Sequence, residues 1–291
     1  MSTRPDLHDA QQIKTYIAGM NASVSDKARI LPFVTGPDVA ELGCGDGVVL
    51  ELLANLKGVE KVTGYDLCGR LLHEATQRQY PVPVTLHRAD LLKQGTGKHN
   101  TIVACSFLHE IYSEMAKAGE EPAYWKWLRS IIVDNLEPGG RFIIRDGVAP
   151  EFEILSVKFS DELLEKWYRF SDDFAMKSIT SFYDSQTGRV TLLASDLFEF
   201  ATKFFYDQNW SIEMKETFGW ATHERLTKSF PIRAMKDRRE RFKVVHSETY
   251  TIPFLRDEKW AGNIQAFRND GTPYELTSTM IVVYERMDDA W

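Results

Sequence analysis

Cysteine is scarce in this sequence: Cys44, Cys68 and Cys105 are the only three in 291 residues. They are too few and too scattered for a disulfide framework or a zinc ribbon, so buried reduced thiols are expected, and no metal-ligand set. Long apolar runs are missing as well, none approaching the ~20 residues of a membrane span. The opening Met1-Ser-Thr-Arg-Pro-Asp-Leu-His8 is polar and lacks the apolar stretch of a secretion signal, which makes the cytosol the expected compartment. Basic excess is absent too, with 35 Lys and Arg against 42 Asp and Glu and a net charge of −7. That balance argues against a surface built wholly to grip nucleic acid and leaves room only for a local basic patch. Neither an internal repeat nor a low-complexity tract is visible.

What is present is a chain that is 43% hydrophobic and 26% charged, the balance of a globular protein with a sizeable core and one large domain or one and a half. Its organising stretch is Val39-Ala-Glu-Leu-Gly-Cys-Gly-Asp-Gly47, which reads as a short buried strand turning sharply into a helix. Glycines at that spacing let the backbone take φ > 0 and approach a ligand, and the helix start behind them presents free N–H groups. Alone, such a turn is a generic nucleotide cradle, and its meaning depends on the residues downstream of it.

Before it, Ile13, Tyr16, Ile17 and Met20 recur at helical spacing and Ser25-Asp26 reads as the cap of a second short helix. These helices either cover the cofactor or pack on the sheet edge. After it, an amphipathic helix over 48–56 leads to a strand over 60–66 that ends in the carboxylate of Asp66. This is a βαβ unit with an acid about 20 positions past the glycines, the arrangement that holds a ribose diol. A helix over 69–79 and a strand over 82–87 come next, and Asp90 lies beyond that strand, where a carboxylate can accept from an adenine amino group. The fourth strand, 101–106, is an apolar run covered on both faces. Phe107-Leu-His-Glu-Ile-Tyr112 opens the next helix. A helix over 122–135 ends in the turn Leu136-Glu-Pro-Gly-Gly140, and a fifth strand covers 141–146. The alternation implies a parallel sheet with helices on both faces.

From Pro150 to about Arg239 the pattern changes. Seventeen aromatics fall among the 80 residues from Glu151 to Phe230, about 21% against 12% for the whole chain, so an inserted, mainly helical, aromatic-rich cap is expected. Within it, Ser195 to about Phe218 reads as a helix stopping at Gly219, and 179–183 with 189–193 as a small hairpin. Two β-rich runs, 242–252 and 275–285, are separated by about 22 residues without a clear crossover helix, and read as an antiparallel pair closing the sheet edge. The expected domain map is a helical lid over 1–37, a core over 38–149 and 240–291, and the cap over 150–239.

The ordered set Glu41-Leu-Gly-Cys-Gly-Asp-Gly47, Asp66, Arg88-Ala-Asp90, Leu136-Glu-Pro-Gly-Gly140 and the final strand pair resembles the class I S-adenosylmethionine-dependent methyltransferases. The resemblance spans roughly 38–148 and 242–286. It implies an α/β fold with a Rossmann-like seven-stranded sheet, mostly parallel, whose last strand inserts antiparallel between the fifth and sixth. It implies S-adenosylmethionine as cofactor and S-adenosylhomocysteine as product. By position, Gly43, Cys44, Gly45 and Gly47 would face the methionine part, with Glu41 supporting the loop or the amino group. Asp66 and Leu67 would hold the ribose, Asp90 and Leu91 the adenine, and Ser106 and Phe107 the floor. A nicotinamide dehydrogenase would want Gly-x-Gly-x-x-Gly where this chain has Gly-x-Gly-x-Gly.

Methyl transfer asks mainly that a nucleophile be held in line with the methyl carbon, and a base is needed only where that nucleophile sheds a proton. His109, just past the fourth strand, is a candidate base or substrate ligand, or else a helix-start histidine bonded to backbone. Glu110 is either a substrate contact or a favourable charge at a helix N-terminus. Asp146, ending the fifth strand, either joins the chemistry or bonds the cap. Tyr112, His223 and Glu224 are weaker candidates, for which helix-surface roles suffice. Ser106-Phe-Leu-His109 departs from the Asn/Asp-Pro-Pro-Tyr/Phe turn of amino-group enzymes acting on adenine or glutamine. Cys105 lacks the preceding proline of cytosine C5 enzymes and reads as core. The expected acceptor is a small molecule enclosed by the cap, with no membrane partner. The alternatives are a nucleotide or RNA acceptor using the basic run from Arg233 to Lys243, a non-methyl transfer from the same cofactor, or a catalytically dead subunit that keeps the fold.

Overall fold

The computed structural model describes residues 10–230 and 242–287. Its centre is a seven-stranded sheet built from β1 Asp38–Leu42, β2 Lys61–Asp66, β3 Val84–Arg88, β4 His99–Cys105, β5 Leu136–Gly147, β9 Phe242–Tyr250 and β11 Thr279–Arg286. Across the sheet they stand in the order β3-β2-β1-β4-β5-β11-β9. β1 to β5 run parallel, and β11 lies antiparallel between β5 and β9, as the resemblance implies.

Period-two alternation sorts the strand side chains onto two cores. Val39, Val103, Ile143, Ile281 and Val283 face one side, where they meet Val49, Leu50 and Leu53 of helix α3 (Val48–Ala54). Leu42, Ile102, Ala104, Phe142, Ile144 and Val282 face the other, against Leu108 of α5 (Leu108–Lys117) and Leu128, Ile131 and Ile132 of α6 (Glu121–Asn135). A strand buried on both faces has no polar side to present, which is why β4 reads as a continuous apolar run. Helix α4 (Gly69–Thr76) follows β2. The Leu136–Gly140 turn is carried inside β5 as an irregularity: Leu136 pairs with His99, the register slips, and Gly139 takes φ 73°.

The N-terminal segment forms α1 (Ala10–Ala22), α2 (Val24–Lys27) and a 3₁₀ turn over Ala28–Phe33. Asp26, expected as part of a cap, instead pairs with the buried Arg145 of β5, whose Nε lies 3.0 Å from Asp26 Oδ2. Tyr250 Oη donates to the same oxygen at 3.0 Å.

The cap contains α7 (Asp161–Asp173), α8 (Ala194–Lys203) and α9 (Trp210–Glu213), and in addition a four-stranded antiparallel sheet of which its residue pattern announced only one hairpin. The strands of that sheet are β6 Ile154–Phe159, β7 Phe182–Asp184, β8 Arg189–Leu193 and β10 Ile264–Phe267, in the order β10-β6-β8-β7. The β7–β8 hairpin is the one expected, turning at Gly188 with Asp184 accepting from Gln186 N at 2.9 Å. The boundary expected at residue 240 does not confine this sheet, because β10 comes from the connection between β9 and β11, which also holds a π-helical stretch, Leu255–Trp260. The helix expected from Ser195 to Phe218 is broken after Lys203 and resumes only as short turns. Seven of the seventeen cap aromatics, Phe159, Trp167, Phe170, Phe174, Phe200, Phe204 and Trp210, are buried in the cap's own core. Of the basic run, Arg233, Lys236, Arg238, Arg239 and Arg241 lie outside the described residues, while Lys243 pairs with Glu285 at 2.8 Å. Among the described residues, no helix is long and apolar enough to cross a membrane.

Candidate active site

The order of the strands reverses between β1 and β4, and open α/β sheets take their ligands beyond the carboxyl ends at such a point. Four expected site segments end there together: the glycine turn after β1, Asp66 ending β2, Ser106-Phe107 after β4, and Asp146 near the end of β5.

Gly43, Gly45 and Gly47 all take positive φ, 69°, 54° and 82°. A Cβ on Gly43 would lie 2.1 Å from the Phe107 ring, so the loop and the residue expected as the floor pack as one surface. Asp66 holds this loop in shape, its Oδ2 accepting from Gly45 N at 2.9 Å and its Oδ1 from Cys68 N at 2.7 Å. A carboxylate has about four lone-pair directions, so this leaves acceptor capacity for a ribose hydroxyl. Glu41 is buried, and its Oε2 has no hydrogen-bond partner. Burial pushes its carboxyl well above the usual range, against the pull of Lys27. An orphaned buried acceptor beside a glycine cradle suits a ligand that brings a donor or a positive charge, as the amino group and sulfonium of S-adenosylmethionine do.

Other expected residues divide. Cys44 offers only its backbone: its thiol is buried in the α3-side core, and its Sγ would lie 2.8 Å from a Cβ on Gly64. Asp90 caps its own turn, accepting from Leu92 N at 3.2 Å, and pairs with Lys93 at 2.6 Å, beside the buried Leu91. Leu67 is half-buried, and its carbonyl accepts from Arg88 Nε at 3.1 Å. Ser106 has φ 55°, and Arg145 Nη1 donates to its Oγ at 2.8 Å. A serine in that region is sterically costly and is held there by its neighbours. Cys105 is core, as expected.

Helix α1 reaches over the loop. Asn21 Nδ2 donates to Asp46 Oδ2 at 3.1 Å, and Arg78 bonds Asp46, Glu51 and Asn21 at once. Thr15 Oγ1 donates to Gln208 Oε1 of the cap at 2.8 Å, so α1 touches both the cradle and the cap.

On the far side of the floor, His109 and Asp146 are both buried and bonded, Nδ1 to Oδ1 at 2.7 Å. His109 N also donates to Asp146 Oδ2 at 3.1 Å. The His109 ring is thus bonded to a carboxylate where the sequence reading offered backbone, and Asp146 is bonded to His109 where it offered the cap. The free edge, Nε2, faces Glu216 Oε2 at 3.8 Å, and the Phe218 ring stands edge-on at 4.8 Å. Burial alone would lower the imidazole's pKa, but Asp146, then Glu216 and Glu213, raise it above the usual value. A ring nitrogen of His109 and an oxygen from each of Glu110 and Glu216 lie within 4.8 Å of one another. Glu216 and Phe218 carry no sequence signal, because they sit in an irregular cap segment about a hundred residues from the motif they complete. Tyr112 is half-buried against the core, edge-on to Tyr124 and Trp125, while Glu224 pairs with Lys228 at an exposed helix surface. His223 Nε2 is buried without a hydrogen-bond partner.

Comparison with known proteins agrees with this geometry. A family model described as a methyltransferase domain matches residues 39–123. No curated protein matches the sequence. Among solved structures, an S-adenosylmethionine-dependent methyltransferase from Mesorhizobium loti is 17% identical, over 90% of this chain and 96% of that one, with a TM-score of 0.51. The plantazolicin methyltransferase BpumL, solved in complex with SAH, is 10% identical over 97% of this chain and 93% of its own, with a TM-score of 0.54. These structural likenesses are in fold, and residues 39–123 carry a methyltransferase domain.

Proposed function

We propose that the protein transfers a methyl group to a small-molecule acceptor whose nucleophile sheds a proton, bound between the carboxyl edge of the seven-stranded sheet and the cap. The observation that carries this reading is the buried His109 ring, pinned through Nδ1 to Asp146 with Nε2 directed at Glu216. When bound, S-adenosylmethionine supplies an electrophilic methyl group on a sulfonium. The chain's own work is then positional and acid–base. The glycine turn, Glu41, Asp66, Asp90 and Phe107 hold the cofactor, and α1 closes over the loop through Asn21. Asp146 keeps His109 in the tautomer whose Nε2 lone pair is free, and that nitrogen takes the proton the acceptor loses. The buried surroundings keep water from the reacting atoms.

In this reading residues 1–37 act as a lid, 38–149 with most of 240–291 as the core, and 150–239 with β10 as the cap that selects the acceptor. The three unpaired thiols suit a reducing compartment such as the cytosol. BpumL has been solved with desmethylPZN analogs and SAH, which supports testing a small-molecule acceptor first for this architecture. The test is transfer of labelled methyl to a panel of hydroxyl-, amine- and thiol-bearing small molecules and to RNA. Labelling of RNA alone, falling steeply as salt rises from low to physiological, would favour the nucleic-acid alternative instead.

A further inference from the structure

We propose that Glu199 and Lys203 of the cap are positioning residues that clamp the segment from Glu216 to Gly219 beside His109. The proposal rests on the reading of His109 as the acceptor-facing group.

The two residues are one turn apart on α8, paired side chain to side chain, and 2% and 0% exposed. Burying an ion pair costs more in lost hydration than the pair returns, unless its remaining lone pairs and protons are all used. Here they are spent on one stretch of chain. Glu199 Oε1 accepts from Gly219 N at 2.8 Å and from Thr217 Oγ1, and its Oε2 accepts from Phe218 N at 3.0 Å. Lys203 Nζ donates to Glu216 O at 2.7 Å and lies 4.5 Å from the centre of the Phe218 ring. All four residues of the segment are therefore tied to the pair.

The other side of the segment is tied to the helix that carries His109. Thr217 N donates to Ser113 Oγ at 2.8 Å, and Ser113 Oγ donates to His109 O at 2.6 Å. A Cβ on Gly147 would lie 2.3 Å from Phe218 O, so only glycine next to Asp146 lets the segment come so close. The segment is held between α8, α5 and the end of β5, and its Glu216 and Phe218 side chains form the wall around Nε2.

The charged groups that face the imidazole are Asp146 from β5, Glu110 from its own helix, and Glu213 and Glu216 from the cap. Lys203 stands behind Phe218, committed to Glu199 and the Glu216 carbonyl. Releasing the segment withdraws the Glu216 carboxylate from Nε2 and leaves the Asp146 bond in place.

The test is an NMR titration of the full chain with ring-labelled histidine, which needs no acceptor. The double variant Glu199→Gln, Lys203→Met removes the pair without stranding a charge. It is expected to lower the His109 midpoint by about half a unit, roughly threefold in proton affinity, with Glu216→Gln shifting it in the same direction. An unchanged midpoint in the double variant, or in Glu216→Gln, overturns the proposal. Thr217→Val, which removes one bond to Glu199, carries the test should the double variant not fold: a smaller fall supports the clamp and no fall overturns it. S-adenosylmethionine binding by calorimetry is measured alongside. Its loss in the wild-type chain would count against the methyltransferase reading, which the midpoint does not address.

Discussion

Asp146 grips His109 twice, through the ring at Nδ1 (2.7 Å) and through the main chain at N (3.1 Å), although the two residues are 37 positions apart. One carboxylate therefore sets both the start of α5 and the orientation of the ring it carries. A ring bonded through Nδ1 to the carboxylate that also holds its main chain has lost rotational freedom before any ligand arrives, which is what a positioned acid–base group requires.

Removing the ring tests this arrangement. His109→Ala is expected to lower methyl transfer by about 10²–10⁴-fold, the usual range for a general base. Cofactor affinity, measured by calorimetry, should stay within about twofold. Wild-type turnover in the variant would remove His109 from the chemistry.

The raised pKa of His109 has a definite sign. A histidine that binds its proton more tightly folded than unfolded contributes stability that is fully present below the ordinary value of about 6.5 and lost as pH rises through the higher folded value. Urea unfolding of wild type and His109→Gln should therefore differ most at acid pH and converge above that interval. The neutral ring that can accept a proton forms over the same interval, so turnover should rise with pH as the stability advantage fades. A wild-type advantage that grows with pH would contradict the pairing.

Asp66 shapes the glycine turn as well as facing the expected ribose position. Asp66→Asn should weaken S-adenosylhomocysteine binding by about 10- to 100-fold, the equivalent of a charged hydrogen bond worth about 1.5–3 kcal/mol, in a chain whose circular dichroism is unchanged. Unaltered affinity would take Asp66 out of the cofactor site.

Asp26 and Arg145 join the N-terminal segment to the sheet through a buried pair. Asp26→Ala leaves the guanidinium inside without its carboxylate, with Ser106 Oγ and the Tyr250 hydroxyl beside it, and should cost about 3–5 kcal/mol in denaturant unfolding. A loss under about 1 kcal/mol would mean that water reaches Arg145 freely.

Much of the core could be read directly. β1, the glycine turn, β2 with Asp66 and β4 announce themselves because each depends on contacts close in sequence or on period-two burial, and both leave a local pattern. The cap was legible as a change of composition and one hairpin. Aromatic density signals buried area but not which partner supplies it, and Trp167, Phe170 and Phe200 turned out to pack on one another. β10 was invisible as a cap strand, since a four-residue strand has too few positions to show a period and its partner β6 is about a hundred residues away.

The sequence by itself determined the class of the protein: an ordered series of short motifs fixes a parallel sheet, its switch point and the cofactor cradle there, because backbone conformation at glycines and strand ends is set locally. The tertiary structure alone decided the surroundings of His109. The orientation of His109, the approach of Glu216 and Phe218, and the buried Glu199–Lys203 pair behind them join segments far apart in the chain. Such contacts arise from how the cap packs on the sheet edge, which no local propensity records.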